Sequence, residues 1–151
     1  MGRRGEGWVV LQFLLFAGYF GVPLLFPLRW HSRIPILWTG AVLLAGSVIF
    51  LVLSAVQLGR SLTPFPTPAP GSQLVTTGVY SFVRHPIYFA LIAGTFAIAL
   101  ISESVGRLAW CGLIFLFFDM KATKEEQWLG ERYATYPAYK NHVKKLLPWI
   151  Y

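Results

Sequence analysis

The sequence predicts an all-α integral membrane protein, with about four transmembrane helices, a proline-rich cytosolic loop and a C-terminal amphipathic helix. Three observations carry that reading. Of 151 residues, 56% are hydrophobic and only 13% charged, and the mean hydropathy is +0.57. A soluble domain of this size would need far more charged surface. Two apolar runs near the start are each long enough to cross a bilayer. Two shorter apolar runs follow, and the polar residues between and after them gather in two clusters. There is room for one domain over residues 1–151, with 1–58 a two-helix membrane scaffold and 59–151 the part that carries the polar clusters.

The net charge is +7 and the isoelectric point near 9.9. In a membrane chain such a surplus collects in cytoplasmic segments and meets anionic headgroups, so membrane lipids are expected as partners and nucleic acid is not. The single cysteine, Cys111, lies in an apolar run and has no second cysteine to pair with.

Residues 1–7 form a short basic leader with Arg3 and Arg4. The run over 8–28 is too long for a typical signal peptide and lacks its small-residue cleavage site, so it is kept as a membrane helix. Pro23 and Pro27 are placed to bend or end it. Trp8 and Trp30 suit the two interfaces, and Arg29 and Arg33 close the segment. The second run, 36–58, holds Gly40, Ala41, Ala45 and Gly46, small residues that let helices approach closely.

Residues 59–71 are a strap in which Pro64, Pro66, Pro68 and Pro70 alternate with other residues. That pattern forbids a helix and favours an extended polyproline-like path, so no secondary structure is expected there. The third apolar helix starts near Pro86, a residue suited to a first helical turn, and ends near Ile101. Residues 103–107 read as a polar turn. The fourth segment, 108–120, is short for a span but meets no proline until Pro137. One long helix that leaves the membrane and carries Lys121, Glu125 and Trp128 into water resolves that. Residues 139–147 make a short basic amphipathic piece, and residues 148–151 rest in the headgroup layer.

Four spans put both termini on one side. Arg3, Arg4, Arg60, Arg84 and the lysine-rich tail share that side, and Arg29, Arg33 and Arg107 face the other. The bias places both termini and both polar clusters in the cytoplasm.

The first cluster, 74–88, joins Gly78, Tyr80, Arg84, His85 and Tyr88 to a helix N-terminus, whose free N–H groups attract an anion. It reads equally as an Arg-His pair reaching for headgroups. In the second cluster Lys121 and Glu125 share a helix face with Trp128 and Arg132, Glu126 and Lys124 lie to the side, and Tyr133, Tyr136 and Tyr139 follow at three-residue spacing. A solvated helix with an ordinary ion pair and an aromatic belt explains that spacing as well.

Taken together, Gly78-Val79-Tyr80, Arg84-His85-Pro86-Ile87-Tyr88 and Glu125-Glu126, with Leu129, Tyr133, Tyr136, Tyr139, Val143 and Pro148, resemble the isoprenylcysteine carboxyl methyltransferase family, related to the membrane phospholipid methyltransferases. The resemblance covers roughly residue 58 to the C-terminus. It implies S-adenosyl-L-methionine as methyl donor, in contact with Gln73, Leu74, Val75, Tyr80, His85, Pro86, Ile87, Tyr88 and Glu125. It also implies Lys121 and Arg84 as catalytic candidates, and Lys121 with Arg132 as the groups that meet a lipophilic acceptor. His85 and the helix start are expected to hold the donor's carboxylate, and Glu125 its ammonium or ribose hydroxyls. Lys121 stands where the eukaryotic enzymes carry an arginine, and an ammonium lacks that planar fork. Ala90 stands where a glycine is usual. No metal ligand set is expected.

Two other functions fit the same fold. An NADPH-dependent lipid reductase relative would need a dinucleotide-binding turn, and no Gly-rich one is present. A non-enzymatic membrane scaffold or lipid-binding protein needs no chemistry at all.

Overall fold

The computed structural model describes residues 5–31, 34–65, 67 and 71–151. The expectations placed on Arg3, Arg4, Arg33, Pro66, Pro68 and Pro70 lie outside the described residues. Among the described residues there are five α-helices and no strand: α1 (Glu6–Leu25), α2 (Ile34–Leu58), α3 (Pro86–Ile101), α4 (Val105–Arg132) and α5 (Tyr136–His142). Short 3-10 turns cover Gly59–Ser61 and Gly78–Ser81. The first of these lies in the strap, where no secondary structure was expected.

Helix α1 takes Pro23 inside its last turn and stops at Leu25, where the Phe26 N–H closes on the Val22 carbonyl at 2.8 Å. Pro27 follows the end. Helix α3 begins at Pro86, where a missing N–H costs nothing. The polar turn after it is shorter than expected. The Ser104 side chain accepts the Arg107 N–H at 3.3 Å and caps α4, so residues 105–107 are helical. The 28 residues of α4 run about 42 Å at 1.5 Å per residue. Pro137 lies in the first turn of α5 rather than ahead of it, again because an N-terminal turn tolerates proline.

The helices alternate in direction. The Val105 N–H donates to the Leu28 carbonyl and the Trp30 N–H to that of Glu103, so the end of α1 meets the start of α4. Helix α2 packs along α3, and α1 and α3 both pack on α4. On α2 the buried residues are Gly40, Ser47 and Ser54, three small side chains spaced by seven. A Cβ on Gly40 would stand 2.8 Å from the Ile101 side chain. Of the small residues expected to let helices approach, Gly40 lies in this seam, while Ala41, Ala45 and Gly46 are exposed. Seven-residue spacing keeps Gly40, Ser47 and Ser54 on one face toward the neighbouring helix.

Tyr19, Ala99, Cys111, Ile114, Phe117 and Phe118 form the core where α1, α3 and α4 meet. Polar atoms there are spent internally: the Tyr19 hydroxyl donates to the Thr95 carbonyl at 2.6 Å, and the Trp110 indole N–H to that of Leu15 at 3.0 Å. The outward faces are apolar, with Leu24 87% and Val56 72% exposed. By length and composition, Glu6–Leu25 and Ile34–Ser61 are apolar enough to cross a membrane, and Pro86–Ile101 is a shorter apolar helix.

Candidate functional site

The two polar clusters meet at one end of the bundle, around a cavity of about 390 Å³, the size range of small-molecule sites. Its near wall begins at Gly78. The backbone there has φ +61, and a Cβ would fall 2.3 Å from the Gln57 side-chain amide, so any residue but glycine is strained there. The Gln57 carbonyl oxygen accepts the Val79 N–H at 2.9 Å. The turn that follows buries Tyr80, whose hydroxyl donates to the Ser54 carbonyl at 3.3 Å. Tyr139 in turn donates its hydroxyl to the Tyr80 carbonyl.

The corner into α3 is held by the C-terminal segment. The Arg84 N–H donates to the Lys144 carbonyl at 2.8 Å and the His85 N–H to that of Lys145 at 3.1 Å, around a parallel bridge between Val83 and Lys144. The Arg84 guanidinium also donates to the Lys140 and Val143 carbonyls.

Beneath this corner lies Glu126, buried to 6% exposure. Its carboxylate accepts from Arg84 Nε at 2.8 Å, from His85 Nε2 at 3.2 Å and from Lys140 Nζ at 3.0 Å. Burial pushes its pKa up, but the hydrogen bonds from His85 and Arg84 outweigh that and hold the carboxyl well below the usual range. Glu125, one position earlier, faces the cavity instead. Tyr88 donates its hydroxyl to Glu125 Oε2 at 2.8 Å, and His85 Nδ1 stands 3.7 Å from that oxygen. Burial raises the Glu125 pKa above the ordinary carboxylate value. The His85 and Tyr88 rings stack at 5.4 Å, 3° from parallel.

Lys121 is 2% exposed. Its ammonium donates to Gln12 Oε1 at 2.6 Å and to the Pro64 carbonyl at 3.3 Å, and lies 5.3 Å over the Tyr88 ring. The Lys121–Glu125 ion pair suggested by their spacing does not form among the described residues, because α1 and the strap supply neutral oxygens instead. Burial lowers the Lys121 pKa and Glu125 opposes the shift. The far wall closes where the Tyr133 hydroxyl donates to the Ser72 carbonyl at 2.7 Å.

All nine residues expected at the donor line the cavity: Gln73, Leu74, Val75, Tyr80, His85, Pro86, Ile87, Tyr88 and Glu125. Lys121 and Arg84 line it too. Arg132 lies outside the lining, exposed near the end of α4 with its guanidinium 5.7 Å over the Tyr133 ring. Sequence reasoning passed over two residues. Gln12 lines the cavity from α1, and its signal was available as an isolated amide in an apolar run. Glu126 had been set to the side of the Lys121–Glu125 face, yet it joins three cationic or hydrogen-bonding partners. Among the described residues no group of three or more His, Cys, Asp or Glu is placed to hold a metal ion.

A family model described as phospholipid methyltransferase matches residues 35–136, from the first turn of α2 to the start of α5. The cobalt-zinc-cadmium resistance protein CzcN of Cupriavidus metallidurans is 26% identical over 148 residues, which is 97% of this chain and 63% of that protein. The nickel-cobalt-cadmium resistance protein NccN of Alcaligenes xylosoxydans xylosoxydans is 26% identical over 120 residues, 78% of this chain and 55% of that protein. The chain therefore spans less than two thirds of the length of either relative.

Proposed function

We propose, because the chain belongs to the phospholipid methyltransferase family, that it is a multi-pass membrane enzyme which uses S-adenosyl-L-methionine to methylate a lipophilic acceptor. The observation that carries this reading is the convergence of the Arg84–His85 corner and the Glu125–Glu126 turn of α4 on one cavity. When bound, the donor supplies a methyl group made electrophilic by its sulfonium.

The residues present fit such a ligand. Glu125 is an acceptor for an ammonium or hydroxyl group, and it is held in place by Tyr88. The N-terminus of α3 offers N–H groups to a carboxylate. Tyr80, Tyr88, Tyr133 and Tyr139 line the cavity, an aromatic surround that suits a purine or a cation. Methyl transfer to an acceptor that already carries a lone pair asks chiefly for alignment and exclusion of water. The strap residues from Ser61 to Pro64 and the Ser72–Tyr133 closure cover the cavity for that purpose. Lys121, at the α1 side, is the group that meets the acceptor. Arg84 fixes the corner from behind, through Glu126 and the tail carbonyls.

The four long helices are read as four spans, with Arg60, Arg84 and the lysine-rich tail at the cavity end and Arg29 and Arg107 at the other. That distribution supports both termini and the site on the cytoplasmic side. Calorimetry on the purified protein tests the donor assignment: S-adenosylhomocysteine binds, and Glu125→Ala and His85→Ala each abolish binding. Undiminished binding in both variants would refute it. Radiolabelled methyl donor given to membranes tests the transfer, and no label in any lipid or small-molecule fraction would favour a non-enzymatic membrane protein.

A further inference from the structure

We infer that Glu126, which does not line the cavity, is a positioning residue that fixes the proton of His85 on Nε2, so that Nδ1 and Glu125 Oε2 form a two-acceptor seat for one N–H or O–H group of the bound methyl donor. This rests on the methyl-donor reading above.

Three observations carry the assignment. First, Glu126 Oε1 lies 3.2 Å from His85 Nε2, while Arg84 Nε donates to the same oxygen and Lys140 Nζ pairs with Oε2, so the carboxylate stays ionised and accepts only. Nε2 must then be the donating nitrogen. Second, the other ring nitrogen is not closed on a partner. Nδ1 stands 3.7 Å from Glu125 Oε2, beyond hydrogen-bond reach. An N–H at Nδ1 would draw that carboxylate in, as the one at Nε2 has done with Glu126. Third, the Glu125 oxygen nearest Nδ1 accepts from Tyr88, so it faces the ring as an acceptor. Two acceptors therefore face each other across a gap that opens on the cavity. A donor group between them satisfies both, and the ammonium or ribose hydroxyl of the methyl donor is of that kind. On this reading His85 meets an N–H or O–H group of the methyl donor, and its carboxylate falls to the N-terminus of α3.

His85 is clamped so that little else can choose its tautomer. Its backbone N–H is committed to Lys145, and its ring stacks on Tyr88. The charged and titratable groups around the ring are Arg84, Glu125 and Glu126, with Tyr88 on its face and Lys140 behind Glu126.

The test is nitrogen-15 NMR of the full-length protein labelled at histidine, with calorimetry of S-adenosylhomocysteine in parallel. Only three histidines are present, and His85→Asn assigns the signal. The expected wild-type ring carries its proton on Nε2 alone. In Glu126→Gln an amide can face the ring as donor or acceptor, so the Nε2 preference is lost and affinity falls about tenfold. Lys140→Ala, which leaves the Glu126–His85 contact intact, keeps the wild-type ring signature. A wild-type ring protonated on Nδ1 or on both nitrogens overturns the proposal, and needs no variant to fold. An unchanged ring signature in Glu126→Gln, or a changed one at unchanged affinity, also overturns it. Failure of the wild type to bind S-adenosylhomocysteine would instead remove the methyl-donor reading, and the ring signature would still report on Glu126.

Discussion

Glu125 and Glu126 are consecutive in sequence, yet one opens on the cavity and the other is sealed beneath the Arg84 guanidinium. A helix turns 100° per residue, so adjacent carboxylates reach different surroundings. Burial raises the pKa of the first, while His85 and Arg84 lower that of the second despite its burial. Separate tasks follow for the two groups.

The Tyr88 hydroxyl orients Glu125, and its ring carries the His85 stack. Tyr88→Phe keeps the ring and removes only the donor. Its expected effect is a loss of S-adenosylhomocysteine affinity of roughly tenfold, the value of one hydrogen bond to a charged group. Calorimetry reads it directly, and an unchanged affinity would detach Tyr88 from the site.

Gly78→Ala tests the turn that seats Tyr80. The left-handed backbone and the 2.3 Å approach to Gln57 act together, and the expected destabilisation is about 1–3 kcal/mol. A thermal melt in detergent measures it. Gln57→Ala in the same chain relieves the collision but leaves the backbone cost and removes the acceptor of the Val79 N–H, so wild-type stability is not restored.

Acid should weaken the fold through Glu126. Its folded pKa lies below its ordinary value of 4.5, so the unfolded chain takes up the proton first as pH falls. The stabilisation is complete above that value and is lost progressively below it. Melting temperature recorded from pH 7 downward should therefore fall below about pH 4.5, and Glu126→Gln should flatten that limb. An equally steep limb in the variant would assign the loss to other carboxylates.

Lys121→Met separates the acceptor side from the donor side. The side chain stays unbranched and becomes apolar, while the ammonium over Tyr88 and its bonds to Gln12 and Pro64 disappear. Donor affinity is expected to change by less than about threefold, and methyl incorporation into membranes to fall at least about tenfold. Equal losses in both would place Lys121 at the donor.

Much of the architecture was legible because it depends on local chemistry. Pro86 marked the start of α3, and the run without proline after residue 108 marked one long helix through Lys121 into the polar turn that ends at Arg132. What stayed hidden depends on which face meets which. The seven-residue spacing of Gly40, Ser47 and Ser54 in α2 is visible only once α3 lies against it. Lys121 paired on paper with Glu125, but α1 brought Gln12 to it from 109 positions away. Glu126 looked peripheral because its partners Arg84 and Lys140 come from other elements.

The bridge between Val83 and Lys144 gives assembly an order. A ribosome finishes every apolar helix before residues 144 and 145 emerge, so the Arg84–His85 corner has to wait for the last stretch of chain to dock. A nascent polypeptide halted after α4 would hold all four long helices and still lack the backbone rungs that shape the cavity.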